Sequence, residues 1–329
     1  MRVGAVVLHY RLWPQVRSTL QALASQTRPP DDLVVVDNRS GDGSLDELRR
    51  AFPEIEIVET AANLGYAGGM NVGTRMLMQR GVEAVLLLTH ECRLAPDALE
   101  EMVDRLEREP GLGAVGPLIG YRSRPDTVFS AGGVMDRRWR PQLVREPALM
   151  TTWAAAPPHA AEWLHGSCLL LRGSAIRQAG EMDERYFLYF EETEYLLTLG
   201  RLGWRVECVP AAVAWQEPGI QPTYLWVRNR LRFQARTGRP RHVVREAGRL
   251  AASIARDTVF PNPRATPAQL RDRRRALVDF LARRWGPDTY GPTREDAEAS
   301  PPARGIPNNQ DAGDGAGDRK ETVSGDARS

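Results

Sequence analysis

Lysine is almost missing from this 329-residue chain: Lys320 stands alone among 44 basic residues, which leaves 43 arginines. A nucleotidyltransferase would place a glycine- and lysine-bearing triphosphate loop early in the chain. No lysine precedes position 320, which argues against that class. Cysteine is scarce too. Cys92, Cys168 and Cys208 are odd in number and lack metal-ligand spacing, which suits a reducing compartment. No run approaches the roughly 18 apolar residues of a membrane span. The opening MRVGAVVLHY lacks a long apolar core and a small-residue cleavage site, so it reads as a strand and predicts a cytoplasmic protein. A formal charge of +2 gives no global field for nucleic acid.

What is present is an alternation of strand and helix patterns over the first 110 residues. Val3–Leu8, Leu33–Val36, Ile55–Val58 and Val82–Leu88 are short apolar runs, as in strands covered on both faces. Between them, helices are predicted from Pro14 (Val16, Leu20, Leu23), from a Ser44/Glu47 capping box, over Met70–Met78, and from Pro96. Such alternation predicts an α/β fold with a parallel sheet. Residues 111–163, rich in Gly and Pro, read as loops and short strands, and His165–Arg172 and Arg205–Val209 as further strands. Residues 222–286 read as helical and basic. The stretch 287–329 has almost no large apolar groups and is expected to be disordered.

Four stretches carry candidate chemistry. In GEMDERYFLYFEETEYLLTLGRLG, Glu191, Glu192 and Glu194 follow the aromatic run Tyr186–Phe190. A carboxylate beside an apolar wall suits proton acceptance or cation binding, although a solvated acidic helix face has the same pattern. VVDNRSGDGS follows a buried strand, where Asp37 could accept a nucleobase imino proton or merely belong to a turn. NLGYAGGMNVG is glycine-rich ahead of a helix start near Met70, which would favour a diphosphate or a tight turn. In LLLTHECRL, Glu91 at a strand end could coordinate a divalent cation or be a surface residue.

Together with WLHGSCLLLR and YLWVRNRLRF, these motifs, in this order over residues 3–235, resemble inverting glycosyltransferases of the family-2 type, most nearly a bacterial rhamnosyltransferase-like branch. The resemblance implies a GT-A (nucleotide-diphospho-sugar transferase) fold, with a mixed, mostly parallel central sheet flanked by helices. Residues 1–235 would form the catalytic domain, with a nucleotide-sugar half at 1–110 and an acceptor half at 111–235. Residues 236–286 would be C-terminal amphipathic helices. Asp37 and Asn38 would meet the nucleotide, while Asn63, Gly65, Gly68 and Asn71 would line the sugar-diphosphate side. Arg228 and Asn229 match a pair near the diphosphate. Glu91 would hold Mg²⁺ or Mn²⁺, supported by His90 and Gln216. Glu192 would be the base, with Glu191 beside it.

The chain departs from the family pattern at Thr89 and Glu91 (asparagine and aspartate), at Glu192 and Glu194 (aspartates), at Thr198 (arginine) and at Gln216 (histidine). The reading these features imply is transfer of a sugar, rhamnose being the branch's suggestion, from a nucleotide-diphosphate donor. The acceptor would be a hydroxyl of a glycan, a lipid-linked molecule or a natural product. The alternative is an impaired nucleotide-sugar-binding homologue partnering an active transferase. Residues 236–286 would serve peripheral membrane contact at the inner face of the plasma membrane, pack on the catalytic domain, or form a homodimer.

Overall fold

The computed structural model describes residues 1–144, 149–219, 222–260 and 266–286. Strand β1 (Val3–His9) is buried at all seven positions, because helices cover both faces of the sheet around it. It is followed by α1 (Trp13–Ala24), β2 (Asp32–Asp37), α2 (Ser44–Ala51), β3 (Glu56–Glu59), α3 (Gly65–Gln79) and β4 (Ala84–Thr89). Next come β5 (Arg93–Leu94), α4 (Ala98–Arg108), β6 (Leu112–Tyr121), β7 (Val128–Ser130), β8 (Gly133–Met135) and β9 (Pro141–Leu143). Then α5 (Met150–Ala154), β10 (His159–Ala160), β11 (Cys168–Arg172), α6 (Gly173–Ala179), α7 (Glu191–Arg201) and β12 (Arg205–Gln216) complete the sheet region. Three helices end the described chain: α8 (Thr223–Thr237), α9 (Pro240–Val259) and α10 (Pro267–Leu281).

The main sheet runs β10-β12-β6-β11-β4-β1-β2-β3. The pairs β1–β2, β1–β4, β2–β3 and β12–β6 are parallel, while β11 runs antiparallel to both β4 and β6. This is the mixed, mostly parallel α/β sheet the sequence predicts. One apolar layer packs α1, α2 and α4 on one face, and another packs α3, α6 and α7 on the other. The parallel strands β1, β2 and β4 therefore all deliver their carboxyl ends to one edge, where such sheets bind ligands.

Three local expectations are corrected. Residues 112–121, within a stretch read as loops and short strands, form the ten-residue β6 inside the sheet, nine of them buried. Its Pro117 lacks an N–H, and opposite it β12 bulges between Val209 and Val213, so no ladder donor is missed. The glycine-rich stretch is not a loop before Met70, since α3 begins at Gly65. A methyl group at Gly69 or Gly73 would lie 2.3 Å from Leu8 or 2.5 Å from Val6, so these glycines let the helix lie close on β1. Ser44 opens α2, but its hydroxyl pairs with His9 and Asp42, and no Ser44/Glu47 capping box forms. The expected disordered tail, 287–329, lies outside the described residues.

Candidate active site

The acidic segment is presented by an unusual turn. Phe187, Tyr189 and Phe190 all have left-handed backbones (φ 65°, 77° and 77°), which costs non-glycine residues roughly 1–2 kcal/mol each. Two clamps hold it. On one side, Tyr66 N donates to Phe187 O at 2.8 Å, and Gly65 (φ 71°) passes so near that a Cβ there would sit 1.9 Å from the same oxygen. On the other, Asn229 Nδ2 donates to Tyr186 O and Leu188 O, both at 2.7 Å, and to Tyr189 O at 3.3 Å. Arg228 adds bonds to Tyr186 O (3.1 Å) and Gly286 O (3.0 Å). The turn ends in the first residues of α7, Glu191 and Glu192, where the helix dipole favours negative charge.

The two glutamates differ. Glu191 is buried and its Oε2 has no hydrogen-bond partner among the described residues. Burial, then the charge of Glu192, push its carboxyl well above the ordinary range. Glu192 is partly exposed, also raised by burial, and packs on Gly166, where a methyl group would meet its Cγ at 3.1 Å. Glu194 is instead committed to Arg236 (2.5 Å) and the Tyr186 hydroxyl.

Gly166 joins this carboxylate to the strand ends. Its carbonyl accepts from the Tyr66 hydroxyl at 2.5 Å, and Ser167 O accepts from Thr89 N at 2.9 Å. Glu191–Glu192 and the Thr89–Glu91 turn therefore flank the same two residues. Glu91 is partly buried and its carboxyl is raised by burial, with Arg122 opposing and Glu217 reinforcing the shift. Gln216 closes β12 just past the Trp215–Arg93 pair. It is 3% exposed, its Nε2 lies 3.5 Å from His165 Nδ1, and its Oε1 has no partner among the described residues. No group of three or more His, Cys, Asp or Glu side chains suited to a metal occurs among the described residues.

His90 Nδ1 lies 3.3 Å from Leu8 O, and its ring meets His9 edge-on at 5.6 Å. Burial lowers both imidazoles to about 4, so His9 is neutral at pH 7 and its 3.8 Å approach to Asp37 is no ion pair. Asp37, fully buried, accepts from Ser40 N and its hydroxyl. Asn38 donates to Gly65 O (2.9 Å) and Asn63 Oδ1 (3.0 Å), tying the end of β2 to the start of α3.

Asn71 bonds the Met182 backbone in both directions, and Gly68 faces Leu64 from inside the helix. Asn38, Asn63 and Asn71 thus use their amides to tie the end of β2, the start of α3 and the Met182 segment together. Arg228 and Asn229, expected near the diphosphate, are fully buried behind the aromatic turn and make the hydrogen bonds that support it. Tyr186, Phe190 and Trp163 are buried core residues. Sequence reasoning passed over Tyr66 and His165. The signal was there: each sits in a quoted motif, next to a glycine.

The chain is similar to known proteins in sequence and in fold. The profile described as "Glycosyl transferase family 2" matches residues 5–153. An N-acetylglucosaminyl-diphospho-decaprenol L-rhamnosyltransferase from two strains of Mycobacterium tuberculosis is 30% identical over 231 residues, covering 63% of this chain and 73% of that one. Among solved structures, the fold resembles a Pyrobaculum calidifontis mannosyltransferase, PcManGT, in complex with GDP-Man and Mn²⁺. The TM-score is 0.53 at 18% identity, over 86% of this chain and 88% of the other. GalNAc-T7 with UDP, GalNAc and Mn²⁺ gives a TM-score of 0.56 at 13% identity, over 71% of this chain and 48% of that one. The fold is therefore GT-A.

Proposed function

Because the chain belongs to glycosyltransferase family 2, we propose that it inverts a sugar during transfer from a nucleotide-diphosphate donor to an acceptor hydroxyl, with Glu192 as base. The observation that carries this reading is the placement of Glu192 at the α7 N-terminus, against Gly166 and beside the β4 end. A carboxylate raised by burial is a stronger proton acceptor once ionised, which suits removal of a hydroxyl proton near neutral pH. The hydroxyl oxygen would then attack the anomeric carbon opposite the diphosphate. Glu191 lies deeper, and burial together with the charge of Glu192 raises its carboxyl, which favours its neutral form beside Glu192.

The donor set supports a hard divalent cation such as Mg²⁺ or Mn²⁺. Glu91 offers a carboxylate, and the unpartnered Oε1 of Gln216 offers a second oxygen of the kind such ions take. When bound, the cation would neutralise charge developing on the leaving diphosphate. His165, 3.5 Å from the Gln216 amide, would set which way that amide points. Likeness to the decaprenol-linked rhamnosyltransferase supports rhamnose as the sugar and a lipid-linked glycan as the acceptor.

Glu192→Gln keeps size and hydrogen-bonding shape but cannot take a proton. It should lower turnover by a factor of roughly 100 to 10,000, the usual worth of a general base, while donor affinity stays within about twofold. Near-normal turnover by that variant would remove the assignment. If the unchanged chain binds donor but turns over none, with Mg²⁺ or with Mn²⁺, it is a binding homologue instead.

A further inference from the structure

We propose that the outward faces of α9 and α10 form a docking surface for anionic phospholipid membrane. From 240 to 286 the described chain carries four carboxylates, Glu246, Asp257, Asp272 and Asp279, and none is exposed. Three of them bind the helices to one another: Glu246 pairs with Arg230 (2.8 Å), Asp257 with Arg273 (2.9 Å), and Asp279 accepts from Tyr224 (2.8 Å). Nine arginines of the same stretch stay exposed. Arg241, Arg245 and Arg249 recur every four residues along α9 and make no ion pair among the described residues. The packing thus sorts charge, acids inward and guanidinium groups outward.

Apolar side chains lie among them. Six large hydrophobic residues are more than half exposed among the described residues, and five fall here: Val244, Val259, Phe260, Val278 and Leu281. Phe260, at 73%, is the most exposed. An arginine-rich polar face with aliphatic and aromatic neighbours is what partitions into a headgroup layer, where phosphates meet the arginines and acyl chains meet the apolar groups. A two-fold dimer through this face would set arginine against arginine. Nucleic acid would meet the charge but leave the aliphatic groups in water. No helix is long and apolar enough to cross a membrane among the described residues, so contact would be at the surface.

The proposal is independent of the transfer reaction, since no donor or turnover enters its test. Full-length protein is centrifuged with vesicles of phosphatidylcholine, alone or mixed with phosphatidylglycerol. Sedimentation is expected only with the anionic vesicles, and release on raising salt. Each arginine near such a surface is worth about fivefold in partitioning, so Arg241→Ala with Arg245→Ala should weaken binding roughly 25-fold. Phe260→Ser should weaken it at low salt, where the arginines still hold the surface. Both variants, being changed only at exposed positions, should keep the parent's Tm. Failure to bind anionic vesicles, unchanged binding by both variants, displacement from vesicles by an RNA oligonucleotide, or self-association that excludes vesicles would each overturn it.

Discussion

Replacing Gly65 by alanine tests whether the aromatic turn positions Glu192, the proposed base. At φ 71° an alanine pays about 1–2 kcal/mol of backbone strain. Its Cβ would also lie 1.9 Å from Phe187 O, where real contacts stay beyond 3.0 Å. Helix or turn must therefore move by about 1 Å, and the Tyr66 N bond to Phe187 O lengthens or breaks, costing a further ~1 kcal/mol. Gly81 supplies the control, with φ 76° and nothing within 4 Å of an added Cβ. Gly81→Ala should lower stability by the strain alone and leave turnover intact. Gly65→Ala should lose about 2–3 kcal/mol and, because a 1 Å misplacement near reacting atoms costs on the order of 100-fold, most of its activity. Urea unfolding and single-turnover assays of both variants decide it. Equal losses of stability, with turnover kept in Gly65→Ala, would refute the positioning argument.

Asn229→Ala should strip hydrogen bonds from three backbone carbonyls of the same turn, with a loss of about 1–3 kcal/mol for each one left buried and unpaired, read by urea unfolding. Turnover should fall while donor affinity, measured by calorimetry, changes less. His9 predicts an acid limit. Its folded value of about 4 lies below the ordinary 6.5, so between these values the unfolded chain binds more protons and stability falls as pH drops through that window. The shift corresponds to about 3 kcal/mol, and the pH dependence of Tm in wild type against His9→Gln should reveal it. An unchanged slope in the variant would assign the acid limit to other groups.

The early alternation of the fold was legible because β1, β2 and β4 are buried on both faces and so read as unbroken apolar runs. Strand β6 was not. Its Gly113, Gly116 and Gly120 make room for Trp204, Leu164 and Met150 from distant segments, so the composition of a turn reflects close packing known only in three dimensions. The run from Gly65 to Gly73 misled for the same reason, its partners being Leu8 and Val6 some sixty residues earlier. The acidic cluster stood out as a candidate because consecutive carboxylates beside aromatics are costly to bury. What fixes its geometry was not visible, since Asn229 follows its three carbonyl partners by 40–43 residues. The bracing of the turn by Arg228 and Asn229 was hidden from the sequence for the same reason.

The bracing has a wider meaning. Arg228 bonds Tyr186 O and also Gly286 O, and Tyr224 of the same helix reaches Asp279 on α10. The C-terminal helices and the left-handed turn are thus one mechanical unit, with the energy of three disfavoured backbones held in check from behind. Loosening of α10 would release Gly286 and Asp279 from α8 and so reach the turn that carries Glu191 and Glu192, which makes this helix part of what holds the acidic pair in place.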